Sequence, residues 1–178
     1  GPNVVQSYLP NGGTGGGGSG RMEYNMGRGR SGSTEVFLGF EHQFGSNYPH
    51  SGNSNKMFFI LGTGWRIFLG YGQESQLNWQ ISFGSSGWAA NTNGTAQSNV
   101  SATVNNSWKK IEWYLKLGQG DGIVRVWLDG NLIIERTGLT TPTTSITEIY
   151  EEGENNGNGG VISPAGYRWL SAFYISAP

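Results

Sequence analysis

Aromatic and hydrogen-bonding side chains alternate with apolar ones along several segments of this sequence of 178 residues. Where the apolar side chains form a core, their neighbours lie together on the opposite face of the same sheet. Such a face suits a sugar, because the C–H side of a pyranose ring packs on aromatic rings while planar polar groups bind its hydroxyls. The candidate ligand-binding residues are Asn78, Gln80, Glu112, Tyr114, Arg125 and Trp127, with Arg66 and His42 beside them.

An ordinary solvated sheet face is the alternative interpretation of the same residues. It would carry cross-strand pairs such as Glu112 with Arg125. Both interpretations stay open for Trp127, Arg125 and Tyr114, whereas the solvated face is favoured for the two amide side chains.

The same residue types could also eliminate a glycosidic bond in a uronate polymer. Such a lyase neutralises the substrate carboxylate with Arg, Gln or Asn, while His, Tyr or Lys removes the C5 proton and protonates the leaving oxygen. If the domain is catalytic, the candidate set is Tyr114, His42, Arg66 and Gln80. The chain has only two His, and a lone His in a β-protein is more often structural, so catalysis is the second hypothesis.

The carboxylates do not favour hydrolysis or metal binding. Glycoside hydrolysis needs two carboxylates in one cleft, for example at alternate positions of a strand, but Glu112 has no acidic partner two residues away. Asp121, Asp129 and Glu151 are weak candidates for a structural Ca²⁺. Turn-forming roles are favoured for these acids, so no cofactor is expected.

Charge and composition narrow the classes of partner. The formal net charge is −1, from 11 basic and 12 acidic residues. The basic residues Arg21, Arg28 and Arg30 are spaced rather than clustered, which disfavours a nucleic-acid partner. No run of about 18 apolar residues is present, so no membrane partner is expected. Cys is absent, which excludes disulfides and thiolate metal sites.

Short strands joined by turns must position the candidate residues. Aromatic residues make up 13% of the chain and 31 residues are Gly, which is typical of aromatic-packed sheets with many turns. Asp129-Gly130 predicts a tight hairpin turn, and no helical periodicity is present. The spacing therefore predicts a two-sheet antiparallel β-sandwich. Strands are predicted over 34–42, 56–61, 65–70, 77–83, 99–104, 108–117, 122–129, 132–137, 145–150 and 168–175, with a loop over 151–160.

Two regions are predicted along the chain. Residues 1–20 are predicted to be a Gly-rich flexible arm that links the domain to a parent polypeptide, and Gly1-Pro2 is interpreted as a tag scar. Residues 21–178 form a single β-sandwich domain, in which the polar strand 99–104 lies at an edge. A long ordered loop is the alternative for the first region.

Two stretches carry a resemblance to a known family. The run Trp108–Leu117, followed by Asp121–Gly130 with an Asp-Gly turn at each end, resembles the core hairpins of concanavalin A-like lectin and glucanase jelly rolls. The run His50–Ile60 is similar to a segment of jelly-roll polysaccharide lyases, in which a polar loop leads through Lys56 into an apolar strand. The resemblance covers about 34–137 and implies a fold shared by lectins, laminin-G-like carbohydrate-binding modules, glucanases and lyases.

The resemblance does not extend to a full catalytic motif. Alginate-lyase jelly rolls carry a Tyr-x-Lys-x-Gly-x-Tyr strand and a Gln-x-His strand. The run from Tyr114 through Lys116 to Gly118 matches the first half of the former, but Gln119 and Gly120 follow, so the second tyrosine is missing.

The leading hypothesis is therefore a carbohydrate-binding module that recognises a polysaccharide through an aromatic and polar sheet face. We expect it to belong to a larger extracellular or virion protein. A polysaccharide (uronate) lyase of the jelly-roll type is the alternative, and a structural or adhesin domain without glycan binding is the second alternative.

Overall fold

A computed structural model describes residues 5–9, 21–25, 32–46, 48, 50, 55–71, 78–83, 94–102, 105–155 and 166–178. These residues form strands and their connections, and none of them is helical. The strands are β1 (Val5–Leu9), β2 (Arg21–Asn25), β3 (Glu35–Phe44), β4 (Asn55–Gly62), β5 (Trp65–Tyr71), β6 (Asn78–Phe83), β7 (Gly94–Ser101), β8 (Lys109–Lys116), β9 (Gln119–Leu128), β10 (Asn131–Thr140), β11 (Ile146–Asn155) and β12 (Gly166–Ser176).

The strands form two six-stranded sheets. The first sheet has the order β1-β12-β3-β8-β9-β10, and the second has the order β2-β11-β4-β5-β6-β7. Neighbouring strands pair antiparallel throughout both sheets. The predicted two-sheet antiparallel β-sandwich is therefore confirmed. Since none of the described residues is helical, they include no helix that could cross a membrane.

Alternating side chains of β8 and β9 build the centre of the core. Ile111, Trp113 and Leu115 of β8 are fully buried, and the register places Trp113 opposite Val126 and Leu115 opposite Val124. The second sheet packs against them with apolar side chains from β4, β5 and β6. Burying a large aromatic ring removes roughly 150–250 Å² from water, so a few such rings supply much of the driving force for folding.

The Asp129-Gly130 turn between β9 and β10 is confirmed. Leu128 pairs with Asn131 across it, which leaves two residues in the loop. Both have positive φ, 50° at Asp129 and 80° at Gly130, as the favoured two-residue hairpin turn requires. The Asp129 carboxylate also accepts a hydrogen bond of 2.9 Å from the backbone N–H of Lys110, so the turn is tied to β8 as well.

Three segments differ from the prediction. Val5–Leu9, inside the predicted arm, is a strand that pairs with β12, and the rest of 1–20 lies outside the described residues. Arg21–Asn25 pairs with β11, where no strand was predicted. The loop predicted over 151–160 is wrong up to Asn155, because β11 stays paired with β4 to that point, and 156–160 lie outside the described residues. These pairings join segments far apart in the sequence, which local patterns do not show. The strand predicted over 99–104 overlaps β7, which begins earlier, at Gly94, and lies at the edge of its sheet as expected; residues 103 and 104 lie outside the described part of the chain.

Candidate functional site

The predicted ligand-binding residues do not share one face. Glu112, Tyr114, Arg125 and Trp127 lie on β8 and β9 of the first sheet, whereas the strands that carry Arg66, Asn78 and Gln80 belong to the second sheet. Arg66 is on β5, and Asn78 and Gln80 are on β6. The prediction of a single shared face is therefore wrong, because alternation assigns a side chain to a face of its own strand and does not say which sheet the strand joins.

His42 belongs to neither outer face. It follows Val36, Leu38 and Phe40 in the inward series of β3 and is only 1% exposed. Its ring packs edge-on against Phe44 at 4.9 Å and Trp79 at 5.3 Å between centroids. Its predicted place beside the polar face, and in a catalytic set with Tyr114, is wrong. The same alternation of β3 could have placed it inside.

The outer face of the first sheet, meaning the face turned away from the core, carries a group of three rings. The Phe37 ring lies 6.2 Å from Trp127 and 5.9 Å from Tyr174 between centroids. The Tyr174 hydroxyl donates a 2.7 Å hydrogen bond to Glu112, and Arg125 forms a 2.7 Å ion pair with Glu135. The expected cross-strand pair of Glu112 with Arg125 is therefore wrong, because the register places Glu112 opposite Trp127 and Arg125 opposite Tyr114.

Tyr114 on this face is held in its protonated form. Its hydroxyl donates a 2.6 Å hydrogen bond to Glu35. Partial burial and this bond to a carboxylate raise the pKa of Tyr114 to about 12. A phenol with that pKa is a poor proton acceptor at neutral pH. Tyr114 therefore suits a role as a hydrogen-bond donor better than a role as a catalytic base.

The outer face of the second sheet carries an aromatic row that is separate from the main core. Phe59, Phe68 and Tyr150 are buried, with 1%, 7% and 8% exposure, and form their own cluster, with Leu61 packed against it. Tyr150 stacks on Phe59 with centroids 4.6 Å apart, and Phe59 lies 5.5 Å from Phe68. The register pairs Tyr150 with Phe59 and Phe59 with Phe68. The row therefore runs straight across β11, β4 and β5.

Polar side chains border this aromatic row. The Lys56 ammonium lies 5.6 Å from the centroid of the Phe68 ring, within the range of a cation–π contact. Lys56 and Gln80 both pair with Gly70, one from each side. Gln80 and Ser82 are buried although they point away from the main core. We call Lys56, Gly70 and Gln80 the Lys56–Gln80 row. In this row the amine of Lys56 and the amide of Gln80 lie on either side of Gly70, which has no side chain.

The remaining candidates on the second sheet, Arg66 and Asn78, lie on the two strands β5 and β6. Arg66 pairs with Leu61, which belongs to the aromatic cluster, and Arg66 is exposed. Asn78 is partly buried at the start of β6. Lys56 and Tyr150 were not among the predicted site residues. Lys56 could have been found from its position at the start of the strand that resembles the lyases. Tyr150 could have been found because it alternates with the buried residues Ile149 and Glu151 of β11.

The three weak Ca²⁺ candidates lie apart, and each is paired with a cation. Asp121 contacts Lys116 at 2.8 Å, and Asp129 contacts Lys109 at 2.8 Å. Glu151 is buried between the sheets in an ion pair with Arg168. Among the residues that the structure describes, no group of three or more His or acidic side chains could hold a metal ion.

A buried polar cluster between the sheets was missed entirely. His50 contacts the Tyr71 hydroxyl at 3.1 Å and Asn105 Oδ1 at 2.6 Å. Tyr48, buried beside this group, hydrogen-bonds to Tyr71. Burial lowers the pKa of His50 and raises the pKa of Tyr71, so both side chains are uncharged at neutral pH. This cluster joins the segment after β3 to the end of β5 and to the segment before β8.

The chain has the fold of the concanavalin-like jelly-roll proteins. Similar solved structures include the alginate lyase vAL-1 from Chlorella virus, with a TM-score of 0.69, 12% identity and coverage of 98% of this chain and 85% of that one. The alginate lyase Aly36B gives 0.65 and 14%, covering 97% and 80%. The galectin LEC-6 from Caenorhabditis elegans gives 0.53 and 10%, covering 96% of each chain. Identities this low show the fold alone. No family model and no curated protein matches the sequence.

Proposed function

We propose that this domain recognises a polysaccharide on the outer face of the second sheet. The observation that carries the proposal is the Lys56–Gln80 row beside the aromatic row of Tyr150, Phe59 and Phe68. The three rings and Gln80 are buried, so Lys56, which is partly exposed, is the group of this set that a polymer reaches first. The ammonium of Lys56 adds a point charge that favours a polymer with carboxylate groups.

The structural neighbours support a sugar-related role. These neighbours include alginate lyases, a glucuronan lyase and a galectin. Because the identities to this chain are between 10% and 14%, that support concerns the fold, and the ligand of this chain is inferred from its own residues.

A binding experiment with matched variants tests which face recognises the polymer. Affinity electrophoresis in gels with alginate or polyglucuronate, and with a neutral glucan as a control, should retard the wild-type protein in the acidic gels. Lys56→Met should weaken binding by about tenfold, equivalent to ~1.4 kcal/mol. Lys116→Met removes a lysine from the outer face of the first sheet and should leave binding unchanged.

The first-sheet residues give the contrasting outcome. If Trp127→Ala and Arg125→Ala abolish retardation while Lys56→Met does not, the binding surface is the outer face of the first sheet, with Tyr114 and Glu112 beside it. If no polysaccharide retards the protein, the domain is structural and the proposal fails.

A uronate lyase is the second candidate, and one observation favours it. Lys56, Tyr150 and Gln80 lie on the same face, where Lys56 is partly exposed and the phenol and the amide are buried beneath it. The amine and the phenol are groups that accept and return protons, while the amide can hold a carboxylate. Incubation with alginate or polyglucuronate should then give the ultraviolet absorbance of an unsaturated product, which Lys56→Met and Tyr150→Phe should remove. Binding without that absorbance would show a recognition module without lyase activity.

An extracellular or virion-surface location of this domain, and its attachment to a parent polypeptide, stay predictions.

A further inference from the structure

A cavity of about 120 Å³ lies between the two sheets beside the carboxyl end of β7. Its wall is mainly apolar and is shared between strands of both sheets. Besides His42, its polar lining residues are Ser101, which is exposed, and Lys109, with a side chain 27% exposed. The apolar part of the wall consists of Trp79, Val100, Ala102 and Leu128.

His42 is the buried polar group of this wall. Neither of its ring nitrogens has a hydrogen-bond partner among the described residues, and the side chain is buried. The rings of Phe44 and Trp79 hold the imidazole edge-on. A neutral imidazole offers one donor and one acceptor. Buried polar groups of native proteins nearly always find partners, so the two nitrogens indicate that something else completes this site.

Charge and size limit what can enter. The ammonium of Lys109 is already paired with Asp129 at 2.8 Å, and the rest of the wall is mostly apolar. A charged ligand would therefore lose its hydration without gaining a counter-ion. An engineered apolar cavity of about 150 Å³ in another protein binds benzene, so one six-membered ring is the appropriate size. A polysaccharide is far too large.

We propose that this cavity binds a small uncharged aromatic molecule that carries a hydroxyl group. The ring packs against Trp79 and Leu128, and the hydroxyl hydrogen-bonds to a ring nitrogen of His42. The site lies between the sheets and is separate from the outer face proposed for polysaccharide, so either proposal can fail without the other.

The two histidines of the chain make a direct test possible. Phenol is titrated into protein labelled with ¹⁵N in its imidazole rings, and benzene is titrated as the matched probe without a hydroxyl. Phenol should shift the ring ¹⁵N signals of His42 along a saturable curve and leave those of His50 unchanged. Benzene should bind at least tenfold more weakly.

Filling the cavity supplies the control. Ala102→Leu should abolish the phenol-dependent shift, and Val100→Phe serves the same purpose if the first variant does not fold. Phenol should also raise the midpoint of thermal unfolding of the wild-type protein and not that of the filled variant. The proposal is overturned if phenol gives no saturable shift of His42, if benzene binds as tightly as phenol, or if a folded cavity-filling variant binds phenol unchanged.

Discussion

Arg168 of β12 and Glu151 of β11 form an ion pair that joins the two sheets through the core. Both side chains are buried, with 2% and 4% exposure. Each strand alone would place a charge in an apolar interior, which is very costly unless an opposite charge compensates it. The pair therefore sets how β12 and β11 face each other.

Removing one member of this pair should destabilise the protein strongly. Glu151→Gln leaves the Arg168 guanidinium buried without a counter-ion, and we expect the free energy of unfolding to fall by about 3–5 kcal/mol. The double variant Glu151→Leu with Arg168→Met removes both charges. Its free energy of unfolding should fall by less than that of Glu151→Gln or of Arg168→Met alone. Urea denaturation measures all of these. A loss of under about 1 kcal/mol in the single variants would show that the charges do not depend on each other.

His42 should make stability depend on pH. Burial, reinforced by the charge of Arg168, lowers its pKa from 6.5 to about 3. Because the folded-state pKa lies below that of the unfolded chain, unfolding takes up a proton between these values. The free energy of unfolding therefore falls as the pH drops through this window, by up to about 1.4 kcal/mol per pH unit. Urea denaturation between about pH 4 and pH 7 measures this slope.

The variant His42→Phe is the control for this pH dependence. It keeps a ring between Phe44 and Trp79 but removes the titrating group, so the slope should become shallower. Burial also lowers the pKa of His50, and hydrogen bonds to lysines lower the pKa of Glu112 and Asp121. These three groups contribute equally to the slope of both proteins. An unchanged slope in the variant would mean that His42 titrates normally in the folded state.

The turn between β9 and β10 should depend on the residue at position 130. Its φ of 80° is in the region that favours glycine, and nothing lies within 4 Å of where a Cβ would be. Gly130→Ala should thus cost about 1–2 kcal/mol through backbone strain alone. Gly130→Asn should cost less, since asparagine adopts this region more readily. Thermal unfolding of both variants measures which one is less stable. Equal losses of stability would point to a cause other than the φ of residue 130.

Tyr174 reaches Glu112 only because residue 39 between them lacks a side chain. A Cβ on Gly39 would overlap the Tyr174 ring. Because Tyr174 is 38% exposed, the ring can swing outward, so Gly39→Ala should break the 2.7 Å hydrogen bond to Glu112 without disturbing the core. We expect a loss of about 1 kcal/mol, similar to that of Tyr174→Phe. The double variant should lose no more than one of the singles, and full additivity would contradict this coupling.

Much of the fold could be predicted because strand alternation and turn chemistry are local. The inward positions Ile111, Trp113 and Leu115 follow from alternation within β8. The Asp129-Gly130 turn follows from the residues that tolerate positive φ. Strand alternation could also have placed His42 in the core, since it is an even number of residues from Val36 on β3 and therefore points to the same face.

The candidate site could be predicted only in part, because sheet membership depends on distant pairings. Gln80 and Trp127 both alternate with apolar residues, yet they lie on different sheets. Tyr150 stacks on Phe59 because β11 pairs with β4, about ninety positions away in the chain.

The sequence by itself thus determined an antiparallel sandwich of short strands, the inward face of most of them, and the tight turn after β9. Only the tertiary structure decided which outward side chains become neighbours, and where the charges of Arg168 and Glu151 meet. The physical reason is that side-chain direction is a property of a single strand, whereas the partners of a strand are chosen by the burial and hydrogen bonding of the whole chain.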